Sequence, residues 1–568
     1  MSNAHTRLGR AASVPAPLGS RATGTDRNAA MNRVLKTTKP GASFVPVVLP
    51  TVSSSPKIDA SNWTSAEKIL FAALFLFAAA VGVIGIERPI FIDEAYSIFT
   101  AGLNLHGIIG QLRTDPNLPL YFVFLHGWIG IFGTSEIAAR APSVLFYFLG
   151  ILTAGKLGKE VSQDARVGLY SAFFYAASLQ AIHIAQKVRV YTLLGLLAGL
   201  STLFFFRCFW KASSGWRDWI LYILINVAGS FAHLWFAFVI AAQFICYFVF
   251  FPRATSRRFL GSIVLSGIPF LLIWGRFLLQ QVANVPDWMP RTDLWSAPGA
   301  ILEFYGGKIA GTIILTCCIL LFFLAKNRQP AQTDANGTRA QWALLLIFSL
   351  SIAVPLLVSL IKPIYWPGRY TIIALPSLAV LLGWLLAARV RPPLLAGFAC
   401  VVLVSVLILQ IVSRRDLIEN SDATLAYADS DQRAAELLAL RIRPGDSLVF
   451  TGLSRASVQY YLQQFHRDQG ITMISFPAVN AAHLGWSDDR PGEDALAAEA
   501  SQLTTRLAQS NVNGTAHFWI LLGANPLADH VLLENMDQHF TALGVLRCRG
   551  AFFSGVVIYP NTPLMPPS

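Results

Sequence analysis

The sequence predicts an α-helical polytopic membrane protein, with about eleven transmembrane helices and a soluble α/β domain at its C-terminus. Three observations support this fold class. Of the 568 residues, 54% are hydrophobic and 13% charged, and the mean hydropathy is +0.53, values typical of chains that fold in lipid. Apolar runs of about 17 to 25 residues, enough to cross a bilayer, recur as far as residue 412. From about Ser413 the composition becomes that of an ordinary soluble protein.

Residues 1–65 are predicted to be a disordered cytoplasmic tail. The segment is rich in Ala, Ser, Pro and Arg and has no sustained hydrophobic periodicity. A cleaved signal peptide is not expected, because the first long apolar run begins only near Ile69 and no short apolar core precedes it. Met31 is an alternative start of the chain.

Residues 66–412 are predicted to form the transmembrane domain. No internal repeat of the kind found in many transporters is visible. The runs of spanning length lie near 68–86, 140–158, 167–182, 191–209, 217–231, 234–251, 259–278, 299–325, 341–361, 370–388 and 393–412.

Charge distribution decides the status of residues 117–133, an apolar stretch with an early proline and several glycines. If this stretch spans the membrane, four of the later basic clusters leave the side of the basic N-terminal tail, which the positive-inside rule disfavours. We therefore expect residues 95–133 to form amphipathic helices at the outer membrane surface. The first outer loop, 88–139, then faces the periplasm, and an odd number of crossings places the C-terminal domain, 413–568, there too.

The C-terminal domain is predicted from alternating helical and strand patterns, which are typical of a compact α/β domain. Helical periodicity covers residues 429–442 and 454–465, and strand patterns cover 447–452, 516–523 and 552–560.

Two classes of site are not supported by composition. The formal net charge is +13, but the basic residues are scattered between apolar runs, so the continuous basic face that nucleic-acid binding needs is missing. The six cysteines have neither the spacing of a metal site nor that of a disulfide framework.

Asp93 and Glu94 stand in the stretch ERPIFIDEAYSIF, where the chain leaves its first predicted span. Two carboxylates at a helix exit are open to a plain interpretation as interfacial polarity. Their interest lies in the side chains that the topology places on the same membrane face. These candidates are Arg113, Asp115 and Tyr121 in the first outer loop, Lys187, Arg189 and Tyr191 between the third and fourth spans, His233 between the fifth and sixth, and Lys362, Arg369 and Tyr370 between the ninth and tenth.

A cationic cluster at the outer boundary suits an anionic lipid headgroup, and a carboxylate beside it can accept a proton from an attacking hydroxyl. Each candidate also has a structural interpretation. An alternative interpretation of Lys187 and Arg189 is that they are snorkelling residues or exceptions to the positive-inside rule. The alternative for His233 is a histidine packed at the interface. Arg140 is expected to pair with Glu136 or with the loop carboxylates, in a structural role.

Four stretches resemble the GT-C polytopic glycosyltransferases, in the branch with protein O-mannosyltransferases, the lipid A aminoarabinose transferase and bacterial enzymes that decorate envelope glycans. They read DEAYSIF, DPNLPLYFVFLHGW with FGTSEIAARAPSVLF, QKVRVYTLLGLLA and GRYTIIALPSLAVLL, in order within residues 66–390. The resemblance implies an inverting enzyme that moves a sugar from a polyprenyl-phosphate donor to lipopolysaccharide, another glycan or lipid, or a protein. It also implies a location in the bacterial inner membrane, with the active site facing the periplasm.

The resemblance makes Asp93 the catalytic base, and Glu94 a group that orients the base or binds a sugar or an ion. The residues it assigns to the donor phosphate are Arg189, Lys187, Arg369 and Lys362. The chain departs from its relatives at Asn117–Tyr121, where they often have His-Pro-Pro-Leu-Tyr, and at Lys187, where they often have Glu. No cofactor is required, although a divalent metal at Glu94 and His233 stays an alternative without fixed ligand spacing.

Two functions from other classes remain open. A transporter or flippase for a lipid-linked or anionic solute would use the same outer cations, but it would usually need ionisable residues near the bilayer midplane, where these spans are apolar. A receptor-like scaffold that binds a partner through its soluble domain fits the paired acids of the outer loop poorly.

Overall fold

The structure is a computed structural model. It describes residues 69, 72–73, 76–78, 80, 82–113, 115–210, 215–283, 291–293, 295–307, 311–312, 316, 335–366, 368–389, 423–481, 484, 491–510, 517–523, 525–546 and 555–559. The predicted tail, 1–65, and the predicted span 393–412 lie outside the described residues, as do most of 299–325 and part of 68–86.

The membrane part is helical throughout the described ranges. Its helices are α1 (Ile92–Gly102), α2 (Leu105–Leu112), α3 (Pro119–Phe132), α4 (Glu136–Ser162), α5 (Ala165–Ala176), α6 (Leu179–Ala185), α7 (Tyr191–Phe209), α8 (Trp216–Ala232), α9 (Phe236–Phe250), α10 (Ser256–Ala283), α11 (Ser296–Glu303), α12 (Ala335–Ile361) and α13 (Leu375–Arg389), with short 3₁₀ turns at Arg253–Thr255 and Tyr370–Ala374.

Within the described residues, five stretches are long and apolar enough to cross a membrane, and each coincides with a predicted span. A sixth crossing results if α5 and α6, which meet at a bend of 59°, form one span. Helices α8 and α9 cover two further predicted spans but have only 17 and 15 residues. The five full-length stretches are Glu136–Ser162, Tyr191–Phe209, Arg253–Leu279, Asn336–Ile361 and Tyr370–Ala387.

Helix α3 occupies the ambiguous stretch 117–133. Its 14 residues make it about 21 Å long, well short of the ~30 Å hydrocarbon core of a bilayer. Since α9, which covers a predicted span, has only 15 residues, this length does not separate a surface helix from a crossing one, and the surface location stays a prediction.

Small residues let α4, α5 and α13 pack closely. A Cβ atom at Gly383 on α13 would lie 2.6 Å from the backbone nitrogen of Ser171, and one at Gly168 on α5 would lie 2.7 Å from the carbonyl oxygen of Gly155. Close backbone approach through small residues is how helices associate strongly in lipid. The packed trio fixes α4, whose first turns carry part of the site described below.

The C-terminal domain is an α/β unit with a five-stranded sheet in the order β2-β1-β3-β5-β4. Strands β1, β2 and β3 are parallel, while β5 runs antiparallel to β3 and β4. Its elements are α14 (Ala423–Ala439), β1 (Ser447–Phe450), α15 (Arg455–Gln464), β2 (Thr472–Ser475), a 3₁₀ turn (Ala478–Ala481), α16 (Glu493–Ser510), β3 (Phe518–Leu522), α17 (Pro526–His539), β4 (Gly544–Leu546) and β5 (Gly555–Tyr559).

Every predicted strand and helix of this domain is present. The strands that sequence patterns did not reveal, β2 and β4, have four and three residues and form the two edges of the sheet. Central strands β1 and β3 are buried along their whole described length and therefore carry a strong apolar signal, which short edge strands lack.

Helix α15 of the C-terminal domain contacts the first outer loop. The hydroxyl of Tyr461 accepts a hydrogen bond from the Ile90 N–H at 2.7 Å. The Tyr460 hydroxyl donates to the Thr134 carbonyl at 2.8 Å, and the Gln464 amide donates to the Thr134 hydroxyl at 3.0 Å. The domain thus meets the chain three residues before Asp93.

Candidate functional site

Asp93 and Glu94 occupy the first turn of α1, directly after Ile92, where the helix begins. Carboxylates are favourable at a helix N-terminus, because unpaired backbone N–H groups and the helix dipole place positive charge there. Successive side chains on a helix point about 100° apart. The two acids therefore face different surroundings.

Glu94 faces the protein interior and is 4% exposed. One of its oxygens accepts from Arg140 Nε and from the Val188 N–H, both at 2.9 Å. The other accepts from Arg140 Nη2 at 2.8 Å and from the Phe91 N–H at 3.1 Å. Burial raises the pKa of Glu94, but Arg140 and the backbone donors outweigh it, so the pKa lies below its ordinary value.

Arg140 is 2% exposed and uses all five of its N–H donors. Besides Glu94, it donates to the carbonyl oxygens of Ile86, Arg88 and Pro89, the segment that leads into α1. Of the two partners expected for Arg140, the structure selects a loop carboxylate, Glu94. These bonds join α4 to the first turn of α1 and to the segment that leads into it.

The metal alternative at Glu94 and His233 does not fit this geometry. Four hydrogen bonds use the lone pairs of the Glu94 carboxylate, so none is left to hold an ion. His233 Nδ1 lies 3.1 Å from the Trp235 N–H, which donates to it. Among the residues that the structure describes, no three His, Cys, Asp or Glu side chains are grouped to hold a metal ion.

Asp93 faces a pocket and is 23% exposed. Its Oδ2 lies 2.7 Å from Arg189 Nη2 and 3.5 Å from Arg369 Nη1. Burial raises the pKa of Asp93, whereas Arg189, Arg369 and Lys187 lower it by more, so the pKa lies below its ordinary value. The carboxylate is therefore ionised at neutral pH.

Arg189 lies in the short link between α6 and α7, which two neighbours hold in place. The Ser143 hydroxyl of α4 donates to the carbonyl oxygen of Lys187 at 2.6 Å, and the Val188 N–H donates to Glu94. Only Nη2 of Arg189 pairs with Asp93. Its Nε and Nη1 are buried and have no hydrogen-bond partner within the described part of the chain. These spare donors are suited to an anion.

Arg369 directly follows a turn that is stabilised by hydrogen bonds to the carboxylate of Glu303. Gly368 has a φ of +73°, which glycine adopts without strain, and its N–H donates to Glu303 at the end of α11 at 2.7 Å. The Tyr365 hydroxyl donates to the same Glu303 oxygen at 3.1 Å. Glu303 was missed in the sequence, although a lone acid inside a run assigned as a span is itself a signal of function.

The pocket is small, with a cavity volume of about 40 Å³. Among the described residues, five cations and two carboxylates line it, so a positive charge remains after the acids are paired. Of the predicted residues, it brings together the acidic pair, both basic residues of the α6–α7 link, Tyr191 at the start of α7, and one arginine from the α12–α13 connection. Its lining comprises Arg88, Phe91, Asp93, Glu94, Arg140, His183, Gln186, Lys187, Arg189, Tyr191 and Arg369.

His233 and Tyr370 lie beside the pocket and pack on one of its walls. The Tyr370 ring lies 5.7 Å from that of Tyr191 and 5.1 Å from that of His233. Burial and the neighbouring Arg189 lower the pKa of His233 to about 4, so the ring is neutral at pH 7. It is thus not a cation for the donor phosphate.

Four other predicted site residues do not line the pocket. Asp115 accepts from the Tyr96 hydroxyl at 2.5 Å and shapes the turn between α2 and α3. Arg113 lies over the ring of Phe277 at 5.2 Å. The remaining two are the buried Tyr121 and Lys362, which directly follows α12.

Tyr461→Phe is expected to destabilise the protein, because it leaves the fully buried Ile90 N–H without its acceptor. A buried unpaired donor costs about 1–3 kcal/mol. Tyr460→Phe is the matched control on the same helix: the Thr134 carbonyl that it frees lies at a partly exposed position and can bond water. Denaturant titration in mixed micelles gives both free energies of unfolding. Equal losses would show that the Tyr461 bond does not fasten the loop.

No protein-family model matches the chain, and no curated protein matches it in sequence. Solved structures do match. ArnT from Cupriavidus metallidurans bound to undecaprenyl phosphate is 14% identical, with a TM-score of 0.56 over 88% of this chain and 99% of that chain. Apo ArnT from the same organism is 15% identical, with a TM-score of 0.55 over 88% and 98%. An oligosaccharyltransferase from Archaeoglobus fulgidus, tethered with an acceptor peptide, is 12% identical, with a TM-score of 0.45 over 88% and 74%.

The ArnT comparison covers the membrane part and the C-terminal domain together, since it extends over nearly the whole of both chains. The chain therefore shares the fold of ArnT, a helical membrane fold with a small C-terminal sheet domain, as its sequence predicts.

Proposed function

We propose that the protein is an inverting GT-C glycosyltransferase. It transfers a sugar from a polyprenyl-phosphate donor to a hydroxyl of an envelope acceptor, which is a lipopolysaccharide, a polysaccharide or a protein. One observation carries the proposal: a carboxylate, Asp93, is held in a cationic pocket by two arginines, one of which has buried donors to spare. Such a site provides both a proton acceptor and a binding site for a phosphate.

The donor phosphate binds at Arg189, Arg369 and Lys187. The free Nε and Nη1 of Arg189 are charged N–H donors on two different edges of the guanidinium, and each can donate to a phosphate oxygen. Lys187 adds a third positive charge at the pocket. A related fold supports this assignment, since ArnT was solved with undecaprenyl phosphate.

Donor binding also prepares the base. In the free protein the arginines keep Asp93 ionised but weakly basic, because they lower its pKa. A phosphate that shares their charge removes part of this effect, so the pKa of Asp93 rises toward a value better suited to taking a proton. The donor therefore activates the base that attacks it.

The reaction is a direct displacement at the anomeric carbon. The acceptor oxygen forms the new bond to that carbon as the bond to the phosphate oxygen breaks, and the hydroxyl proton passes to Asp93. The lipid phosphate leaves with its charge balanced by the arginines. A single displacement inverts the anomeric configuration.

We place the site on the periplasmic face of the bacterial inner membrane, with residues 66–412 as the catalytic membrane domain and 413–568 as a periplasmic domain. A transporter would carry ionisable groups near the midplane. The described polar cluster inside α7, α8 and α9 is instead uncharged: Ser201 donates to Asn226 at 2.7 Å, and Tyr222 donates to Gln243 at 2.8 Å. Such groups join helices in lipid.

Sugar transfer by the purified full-length protein tests the proposal, with a panel of undecaprenyl-phosphate sugars and envelope acceptors. Arg369→Ala is expected to raise the KM for the donor by about 10- to 100-fold, the loss of one charged hydrogen-bonding group. Lys362→Ala, from the same connection but outside the pocket lining, should leave KM unchanged. Absence of turnover with every donor, together with movement of a lipid-linked sugar across liposomes, would establish the transporter instead.

A further inference from the structure

A second cavity, of about 570 Å³, lies between the C-terminal half of α4 and the stretch Leu196–Arg207 of α7. Both helices begin next to the candidate active site, at Arg140 and Arg189, and run away from it. The cavity is therefore at the opposite face of the membrane. One end is rimmed by the cations Lys156, Lys159 and Arg207, and its wall includes Leu196, Leu200 and Phe204.

The cavity has the length of a single lipid leaflet. Along α7, its lining extends from Leu196 to Arg207, about 16 Å of helix. Half of a bilayer hydrocarbon core measures ~15 Å. The apolar wall thus covers the depth of one acyl chain, and the cations stand where that chain would join its headgroup.

The rim of the cavity carries a net positive charge. Arg207 pairs with Glu160 at 3.3 Å, while Lys156 and Lys159 are exposed on α4. Three cations face one carboxylate, so the rim keeps a surplus of positive charge. Lys156 lies six residues before the end of α4, about 9 Å inside it.

Snorkelling alone explains lysines near a helix end, but it needs no cavity beside them. Here the cations rim a cavity whose other lining residues are mainly leucines, together with Phe204. Basic pockets between transmembrane helices on the cytoplasmic side are typical sites for anionic lipid headgroups. The apolar lining and the cationic rim together favour a ligand that has both an apolar chain and an anionic headgroup.

We infer that this cavity binds an anionic phospholipid of the leaflet opposite the candidate active site. Its headgroup phosphate lies at Lys156, Lys159 and Arg207, and an acyl chain lies along the leucine wall. The inference does not depend on the proposed glycosyltransferase activity, since the two sites are at opposite ends of α4 and α7.

Native mass spectrometry of the purified full-length protein tests the inference, with phosphatidylglycerol and phosphatidylcholine of identical acyl chains as probes. The wild type is expected to retain phosphatidylglycerol preferentially. Lys156→Glu/Lys159→Glu should lower that affinity at least tenfold, at about fivefold for each surface cation, and leave phosphatidylcholine binding unchanged. Equal retention of the two lipids by the wild type would overturn the inference.

Arg253→Glu/Arg257→Glu is the matched control, because it makes the same charge change on the same membrane face outside the cavity lining. It should change phosphatidylglycerol affinity by less than twofold. An equal loss in both double variants would mean general surface attraction and would overturn the site. Glycerol phosphate serves as a headgroup without chains: it should fail to displace the lipid, and full displacement would show a phosphate site instead of a lipid site.

Discussion

Asp93→Asn is expected to lower kcat for sugar transfer by about 10²- to 10⁴-fold, the usual contribution of a positioned general base. The amide has the shape of the carboxylate but cannot take the acceptor proton. Steady-state kinetics with a saturating donor measures the loss. A variant that is stably folded and turns over like the wild type would remove Asp93 from the role of base.

Donor affinity separates this role from a merely structural one. Asp93 neutralises Arg189 and Arg369 in the free protein, at 2.7 and 3.5 Å. Replacing it by the neutral amide frees both guanidinium groups, so the dissociation constant for the donor should stay the same or fall while kcat collapses. Arg369→Ala should have the reverse pattern. A weakened donor affinity in Asp93→Asn would indicate collapse of the pocket.

The pH profile follows from the same ion pairs. A base acts only when deprotonated, so activity is present above its pKa and is lost as pH falls through it. In the free enzyme the arginines hold the pKa of Asp93 below its ordinary value, so the acid limb of kcat/KM should lie at lower pH than that of an ordinary aspartate. Bound phosphate shares the arginines, so the acid limb of kcat should lie at higher pH. If the acid limb of kcat lies at the same pH as that of kcat/KM, or at lower pH, the proposed activation of Asp93 by the donor is wrong.

The site was predictable from sequence in part, because membrane topology brings distant loops to one face. Hydropathy and loop charge placed Asp93, Arg189 and Arg369 together although they are far apart in the chain, and the structure joins their side chains directly. Spans are read reliably from sequence because lipid tolerates only apolar, internally bonded helices. Topology gives the side of the membrane, however, and not the direction of a side chain.

Glu94 shows what that missing direction decides. The sequence alone does not distinguish Glu94 from Asp93. Because α1 begins at Ile92, Asp93 faces the pocket and Glu94 faces Arg140. A serine or threonine cap three residues before Glu94 would have signalled a capping role, but Phe91 stands there. Lys362 and Asp115 were misplaced for the same reason, since a shared membrane face does not bring a side chain into a shared pocket.

Arg140→Ala is expected to lower the free energy of unfolding by about 3–5 kcal/mol, the typical result of removing one partner of a buried ion pair. Glu94 is left charged at 4% exposure, and the carbonyl groups of Ile86, Arg88 and Pro89 lose their donor. Denaturant titration in mixed micelles measures the change. Arg207→Ala is the matched control: it breaks an ion pair whose side chains are 34% and 21% exposed, and about 0–1 kcal/mol is expected.

The double variant Arg140→Ala/Glu94→Ala isolates the cause. Removing both charges leaves no orphaned carboxylate, so the double variant should lose less stability than the two single variants added together. It should still bind the donor poorly, because Glu94 also holds the Val188 N–H and with it the link that carries Arg189. Additive losses of stability would mean that the pair is not coupled. Full donor affinity in the double variant would mean that Ser143 alone fixes the Arg189 link.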